Sequence, residues 1–253
     1  MSNLTPSPKC ILLDVEGTTS SISFVYDVMF PYVRENLAPF LANNWNSDSV
    51  QGCLPLLAND IGKDSVDEWL DADGPTAQQQ VATAVTKLMD DDVKATGLKQ
   101  LQGMIWKDGF ESGQMTAHLF DDVADCMRKW HADGIEIRIY SSGSIAAQKL
   151  FFGHCVAGNL LPLISGHYDT TIGSKKESAS YVAIADDIGL PPSEIIFISD
   201  VPAELDAARS AGMQVILSIR PGNKPVENID ADSAIRDFSE VEAMCSLGPS
   251  KLI

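Results

Sequence analysis

Lys9-Cys10-Ile11-Leu12-Leu13-Asp14-Val15-Glu16-Gly17-Thr18-Thr19 is a short apolar run that opens into an acidic turn containing a glycine. Pro6 and Pro8 stand just before it, so no helix runs into it, and the run reads as a buried strand that ends at Asp14. Downstream, apolar residues recur at helical spacing between Asp27 and Trp106: Val28, Tyr32 and Val33, then residues 54–61, then Val81, Ala84, Val85 and Leu88, then Leu98, Leu101 and Ile105. No convincing strand interrupts them. After Gly113 the pattern becomes strand and helix in alternation. Residues 120–132 read as a helix stopped by Gly134, 135–140 as a strand before the Ser141-Ser142-Gly143-Ser144 turn, and 160–165 as a third strand. Residues 178–188 read as a helix, 195–198 as an apolar strand, 202–211 as a helix closed by Gly212, and 215–217 as a fifth strand. Residues 230–253 read as one short helix and a tail.

Strands separated by helices imply parallel pairing, so the fold expected is α/β, a doubly wound parallel sheet. A single strand cannot cover its own polar edges, so the first strand belongs with the later ones. The helical stretch is then an all-helical cap inserted after the first strand, with the core formed by residues 1–20 and 114–253 and the cap by 21–113.

The 253 residues are 45% hydrophobic, 21% charged and 7% aromatic, the profile of a globular protein rather than a disordered one. The 35 acidic residues against 18 Lys plus Arg leave a formal charge of −17, which excludes nucleic acid and anionic lipid as partners. A small anionic substrate remains open, because a divalent cation reverses the local potential of an acidic pocket. Cys10, Cys53, Cys126, Cys155 and Cys245 are odd in number and scattered, without zinc spacing, and read as reduced thiols of a cytoplasmic protein. The first residues lack the basic and apolar regions of a signal peptide, and no apolar run approaches the roughly 18 residues of a membrane span. A capped domain of this size is expected to be a monomer.

In an open α/β sheet, ligands sit beyond the carboxyl ends of the strands. The residues expected there are Asp14 with Glu16, Ser141 with Ser142, Asp200 after Ser199, and Lys175 in the loop after the third strand. Any one of them alone is more often a loop cap or a solvated charge. Together they suit phosphoryl transfer through an aspartyl intermediate. A carboxylate attacks a phosphomonoester dianion only once a divalent cation offsets the repulsion, so Asp14 and Asp200 are expected to hold a metal, and hard oxygen donors favour Mg²⁺. The Ser141 hydroxyl, the amides of its turn and the Lys175 ammonium suit phosphate oxygens. Glu16 is expected to protonate the leaving oxygen and then to activate water.

Asp14-x-Glu16-Gly17-Thr18, Ser141, Lys175, and Ser199-Asp200 with Glu204 resemble the four motifs of the haloacid dehalogenase superfamily. Most members have Asp where this chain has Glu16. That departure, with Tyr140 to Ser144, Gln148 to Gly153, Gly173-Ser174-Lys175 and Leu101-Gln102-Gly103-x-x-Trp106, resembles its acireductone synthase (enolase-phosphatase) branch, up to Pro221-Gly222-Asn223. The resemblance implies a methionine-salvage enzyme with one Mg²⁺ per subunit, in the cytoplasm and with the nucleus as a further compartment. It would enolise 2,3-diketo-5-methylthiopentyl-1-phosphate, then hydrolyse the phosphate to release 1,2-dihydroxy-3-keto-5-methylthiopentene. It also implies Asp14, Glu16 and Asp200 as metal positions and Ser141, Ser142 and Lys175 as substrate positions.

Gly166 and Gly173-Ser174-Lys175 do not have the spacing of a nucleotide phosphate loop. His118, His131, His154 and His167 show no metal-ligand pairing, Trp106 reads as a core or hinge residue, and Glu204 reads equally as a helix-start charge and as a partner of the metal site. The competing readings are a generic capped phosphatase or phosphomutase on a small sugar phosphate, a phospho-accepting receiver module, and a metal-free dehalogenase. Glu16 with the Ser141-Ser142 turn, the length of the chain with its cap, and the acid at Asp200 weigh against them respectively.

Overall fold

Six parallel strands in the order β3-β2-β1-β4-β5-β6 place Asp14 at the middle of a sheet. The structure is a computed structural model, and it describes residues 8–70, 74–226 and 234–242. The strands are β1 (Cys10–Leu13), β2 (Glu136–Tyr140), β3 (Gly166–Tyr168), β4 (Ile195–Ser199), β5 (Gln214–Ser218) and β6 (Ala234–Ile235). β1 and β4 are buried at every residue, as strands covered on both faces must be. Leu13 is in register with Ile139 on one side and Ile198 on the other, so the carboxyl ends of β1, β2 and β4 finish level. The chain leaves β1 for β2 and β3 on one side and returns to β4 on the other, which makes the β1/β4 junction the switch point where such sheets bind ligands.

Contacts divide the chain into two units, Met1–Val25 with Thr116–Ile253, and Tyr26–Met115. In the first, the helices Val123–Ala132, Ile145–Gly153, Ser178–Ile188 and Pro202–Ser210 link the strands. Cys10, Leu12, Tyr140, Tyr181, Phe197 and Leu205 belong to one buried cluster of its core. In the second, the long helices are Phe30–Asn44, Asp48–Asp60, Gly74–Asp90 and Thr96–Glu111, and no strand occurs among its described residues. Two of them meet backbone to backbone: a Cβ on Gly97 would lie 2.5 Å from the Leu57 amide nitrogen, so only glycine permits the approach. Asp60 then accepts from Leu98 N at 2.8 Å, capping a helix whose own N-cap, Ala95, has no side-chain oxygen. Trp106 is buried and donates its indole N–H to the Met29 carbonyl, at the end of a π-helical segment, Val25–Met29, where the regular ladder is broken.

The sequence expectation differs from this fold in four places. The third strand is Gly166–Tyr168, not 160–165, because Pro162 has no N–H to give a ladder and Leu161–Leu163 turns into a 3-10 segment. A sixth strand, Ala234–Ile235, and the 3-10 turn Phe238–Glu240 occupy the described part of what reads as a helix and tail, and the rest of 230–253 lies outside the described residues. The helix expected from residue 120 begins at Val123, since Phe120 N is bonded to Thr19 O and Asp122 to Arg220. Val28 is exposed rather than part of a core stripe.

Cys10, Cys53 and Cys155 are buried free thiols and Cys126 a half-buried one, while Cys245 lies outside the described residues. Among the described residues no helix is long and apolar enough to cross a membrane.

Candidate active site

The loop after β1 is shaped before any ligand arrives. Val15 O accepts from the amides of Thr18, Thr19 and Ser20 and from Thr19 Oγ1 at 3.2 Å, which curls residues 15–20 beneath Asp14. Gly17 completes the curl at φ +76°, a left-handed conformation that costs glycine nothing. Three groups brace the loop from outside. Asn223 Nδ2 donates to Gly17 O at 2.9 Å, and Arg220 Nε donates to Thr18 O at 3.2 Å. Ser21 N donates to His118 Nδ1 at 3.3 Å. Arg220 is itself clamped: both ends of its fork reach Asp122, at 2.9 and 2.7 Å, and its guanidinium lies between the rings of Phe120 and Phe238.

Lys175 links three of the expected strand ends. Its Nζ lies 2.6 Å from Asp14 Oδ1 and 2.7 Å from Glu204 Oε2, with Ser199 Oγ donating to the same Glu204 oxygen at 3.0 Å. All three ion-paired side chains are buried. The rings of Tyr140 and Phe197 flank the ammonium at 5.6 and 5.9 Å. Its loop cannot drift, because Tyr181 Oη donates to Lys175 O at 2.7 Å, Ser180 Oγ to Ser174 O at 2.7 Å and Tyr140 Oη to Gly173 O at 3.1 Å. Asp200 ends β4 beside the Gly17 turn. A Cβ added to Gly17 would lie 2.4 Å from Asp200 Oδ2, so the turn exists in this form only because residue 17 has no side chain.

The charge balance of this cluster is uneven. Burial alone would lower the Lys175 ammonium, but the Asp14 and Glu204 carboxylates more than reverse that and hold it above the ordinary lysine range. One ammonium does not satisfy every carboxylate. Burial, then the charges of Asp14 and Glu204, push the Asp200 carboxyl up to about 7, and burial also raises Glu204. The site therefore has an unmet demand for positive charge beside Asp200. Among the described residues no three His, Cys, Asp or Glu side chains form a metal cage. Mg²⁺ needs none, since it binds through one or two carboxylates and keeps much of its water. The purely oxygen donor set of Asp14 and Asp200, and the buried, unpartnered oxygens Asn223 Oδ1 and Thr18 Oγ1 on the loop and its brace, fit a hard divalent cation.

At the end of β2, Ser141 is buried and Ser142 half-buried. Ser141 Oγ accepts from Gly143 N at 3.2 Å, and Ser144 Oγ caps the helix Ile145–Gly153 by accepting from Ala147 N at 3.3 Å. Gln148 fixes this turn, its amide nitrogen donating to Gly143 O and Tyr168 O, both at 2.8 Å. Its oxygen lies 3.1 Å from His167 Nδ1, a histidine lowered to about 4 by burial and then by the charge of Lys149; the amide cannot flip without setting that oxygen against the Gly143 and Tyr168 carbonyls. The turn thus carries amides at a helix start, a geometry suited to phosphate oxygens.

The haloacid dehalogenase-like hydrolase family matches residues 8–212. An enolase-phosphatase E1 of Drosophila grimshawi is 42% identical over 249 residues, covering 95% of this chain and 99% of its own.

The chain belongs to the enolase-phosphatase E1 family.

A longer Vitis vinifera relative, a probable bifunctional methylthioribulose-1-phosphate dehydratase/enolase-phosphatase E1, is 42% identical over 93% of this chain and 47% of its own. Among solved structures, the UTR4 protein of Saccharomyces cerevisiae superposes with a TM-score of 0.74 at 34% identity, over 92% of this chain and 99% of that one.

The structure brings Asp14 and Lys175 into direct contact and sets Asp200 against the same loop. Ser141 and Ser142 stand at the neighbouring strand end. Glu16 is half-buried two residues beyond Asp14, its backbone bridged to Ser20. Glu204, set aside on sequence grounds, is one of the two carboxylates on Lys175. Its position four residues after Asp200 is the signal that could have placed it, because one helical turn returns it to the strand end. Asn223, Arg220 and Gln148 carry no motif-independent signal of their role; Thr18, Gly17 and Tyr168, which they hold, are distant in sequence.

Proposed function

We propose that this chain is an acireductone synthase. Its reaction converts 2,3-diketo-5-methylthiopentyl-1-phosphate, by enolisation and then hydrolysis of the phosphate ester, to 1,2-dihydroxy-3-keto-5-methylthiopentene and phosphate. The observation that carries this reading is the buried Asp14–Lys175–Glu204 ion triad beside Asp200, at the switch point of a sheet whose sequence relatives are enolase-phosphatases. The Vitis relative adds a chemical argument. Dehydrating a ribulose phosphate yields a diketo phosphate, which is what an enolase-phosphatase fused to that activity would consume.

In this reading a carboxylate oxygen of Asp14 attacks phosphorus as the bond to the ester oxygen breaks, and Glu16 protonates that departing oxygen. Glu16 then takes a proton from the water that cleaves the aspartyl phosphate, restoring Asp14. Earlier, in the enolase step, Glu16 takes the proton next to the carbonyl as the C–H electron pair moves onto the carbonyl oxygen; that proton is the one Glu16 later gives to the departing ester oxygen, and the enolate oxygen takes its own from water. Ser141, Ser142 and the amides of their turn, with Lys175, hold the phosphate oxygens. Asp14, Glu16 and Asp200 would hold one Mg²⁺ per subunit, which supplies charge neutralisation for phosphate and enolate. The helical unit Tyr26–Met115 is compact in itself and is inserted between β1 and β2, the place in the chain expected of a cap. The enzyme works as a cytoplasmic monomer.

The test is a paired assay with 2,3-diketo-1-phosphohexane, following enol absorbance and free phosphate together, first with Mg²⁺ and then with EDTA. The expected result is an enol signal and phosphate release that both stop on chelation. Phosphate release from simple sugar phosphates without an enol signal would overturn the reading in favour of a generic capped phosphatase.

A further inference from the structure

Asn223 lies in the turn after β5 and takes no part in the chemical steps above. Its orientation is over-determined: Nδ2 donates to Gly17 O at 2.9 Å and to Ser218 O at 3.3 Å, and both of those atoms only accept. The amide cannot rotate by half a turn without setting oxygen against two carbonyls. Oδ1 is therefore forced inward, where it is buried and has no partner among the described residues. An acceptor left in that condition is destabilising, so a side chain held there by two hydrogen bonds calls for a donor. The direction it faces is informative. The Cβ that Gly17 lacks would lie 3.0 Å from Asn223 Oδ1 and 2.4 Å from Asp200 Oδ2, so both oxygens look onto the same bare backbone. Among the described residues no donor stands there, and the carboxylate beside it is Asp200, proposed above to hold the cation.

We propose that Asn223 is a positioning residue of the cation site, its amide oxygen accepting a hydrogen bond from the hydration shell of the divalent cation held by Asp200. The inference rests on the Mg²⁺-dependent reading above. Outer partners of this kind typically change metal affinity by about 10- to 100-fold when removed. Mg²⁺ keeps several waters and so depends on such partners more than a cation caged by side chains does.

The experiment measures the affinity of the metal-free, full-length protein for Mn²⁺ by electron paramagnetic resonance and for Mg²⁺ by calorimetry. It compares wild type, Asn223→Ala and Asn223→Asp. Ala removes both the bracing donor and the oxygen; Asp keeps the inward oxygen but sets its other oxygen, in place of the donor, against the Gly17 and Ser218 carbonyls. The expected result is a dissociation constant raised about 10- to 100-fold in Asn223→Ala and at least half restored, on a logarithmic scale, in Asn223→Asp. Unchanged affinity in Asn223→Ala would overturn the proposal. Equal weakening in both variants would also overturn it, since the residue would then act only by bracing Gly17 through Nδ2. If Asn223→Ala does not fold, Asn223→Ser takes its place, since the shorter side chain also withdraws the amide oxygen: an affinity unchanged from wild type overturns the proposal, and a loss of about 10- to 100-fold supports it. A wild-type protein that binds neither ion fails differently, because it removes the cation reading itself.

Discussion

Replacing Gly17 by Ala separates backbone strain from site geometry, because both are fixed at one residue. The left-handed conformation at φ +76° costs a residue with a Cβ about 1–2 kcal/mol. For a chain of this length that is a fall in melting temperature of roughly 2–8 °C. The second effect is steric. The new Cβ would lie 2.4 Å from Asp200 Oδ2 and 2.6 Å from its Cγ, so the Asp200 carboxyl has to retreat by about 1 Å to reach ordinary contact. A misplacement of about 1 Å at a reacting centre costs on the order of 10²-fold in rate. Gly134 provides the control, since it has φ +78° and an added Cβ there meets nothing within 4 Å. Gly134→Ala should lose the same stability and keep its activity. Gly17→Ala should lose at least as much in thermal unfolding, since its Cβ also crowds Asp200, and about 100-fold in kcat for phosphate release, with weakened Mg²⁺ binding. A Gly17→Ala enzyme within about threefold of wild-type kcat would refute the placement of Asp200 in the reacting centre.

Three further outcomes follow from the same cluster. Lys175→Met leaves the Asp14 and Glu204 carboxylates buried with no cation, so it should cost about 3–5 kcal/mol in urea unfolding and abolish phosphate release; native-like stability would contradict the buried triad. In the metal-free protein the raised Asp200 carboxyl favours folding below its unfolded value near 3.8, and that contribution is lost as pH climbs to about 7. Saturating Mg²⁺ should therefore raise the melting temperature more at about pH 8 than at about pH 5, where a proton competes for Asp200, and a larger gain on the acid side would reject this charge balance. Gln148→Leu takes the side-chain donor from Gly143 O, at about 1–3 kcal/mol for that carbonyl, while Tyr168 O keeps the Ser141 amide. It should raise KM for the phosphorylated substrate more than it lowers kcat; an unchanged KM would separate Gln148 from phosphate binding.

The parts of the fold that were legible in the sequence are those where one local force dominates. β1 and β4 are pure apolar runs because both faces are covered, and Asp14 and Asp200 are visible as the first acids beyond them. The helix Ser178–Ile188 ends where Gly189 takes a left-handed turn, a signal written in the sequence itself. Residues 160–165 misled because Leu160, Leu161 and Leu163 have the apolarity of a strand while Pro162 denies them its ladder. β6 is two residues long, too short for any period, and exists through its pairing with β5. Arg220 and Asn223 escaped notice for a different reason. Their partners, Thr18 and Gly17, lie more than 200 residues away, and nothing local in Arg220-Pro221-Gly222-Asn223 announces them.

That distance explains why the site loop is braced from the far end of the chain. Asp14 and Asp200 carry like charge, and burying both in one place opposes folding unless something holds the backbone against their repulsion until a cation arrives. Lys175 offsets part of it, shared as it is between Asp14 and Glu204. The rest falls on groups that take no part in that repulsion: Asn223 on Gly17 O, Arg220 on Thr18 O, and the amides of residues 18–20 gathered on Val15 O. These contacts shape the loop with no cation present. A preorganised loop of that kind is what oriented transition-state stabilisation requires, and it accounts for a glycine, rather than an acid, at the position nearest Asp200.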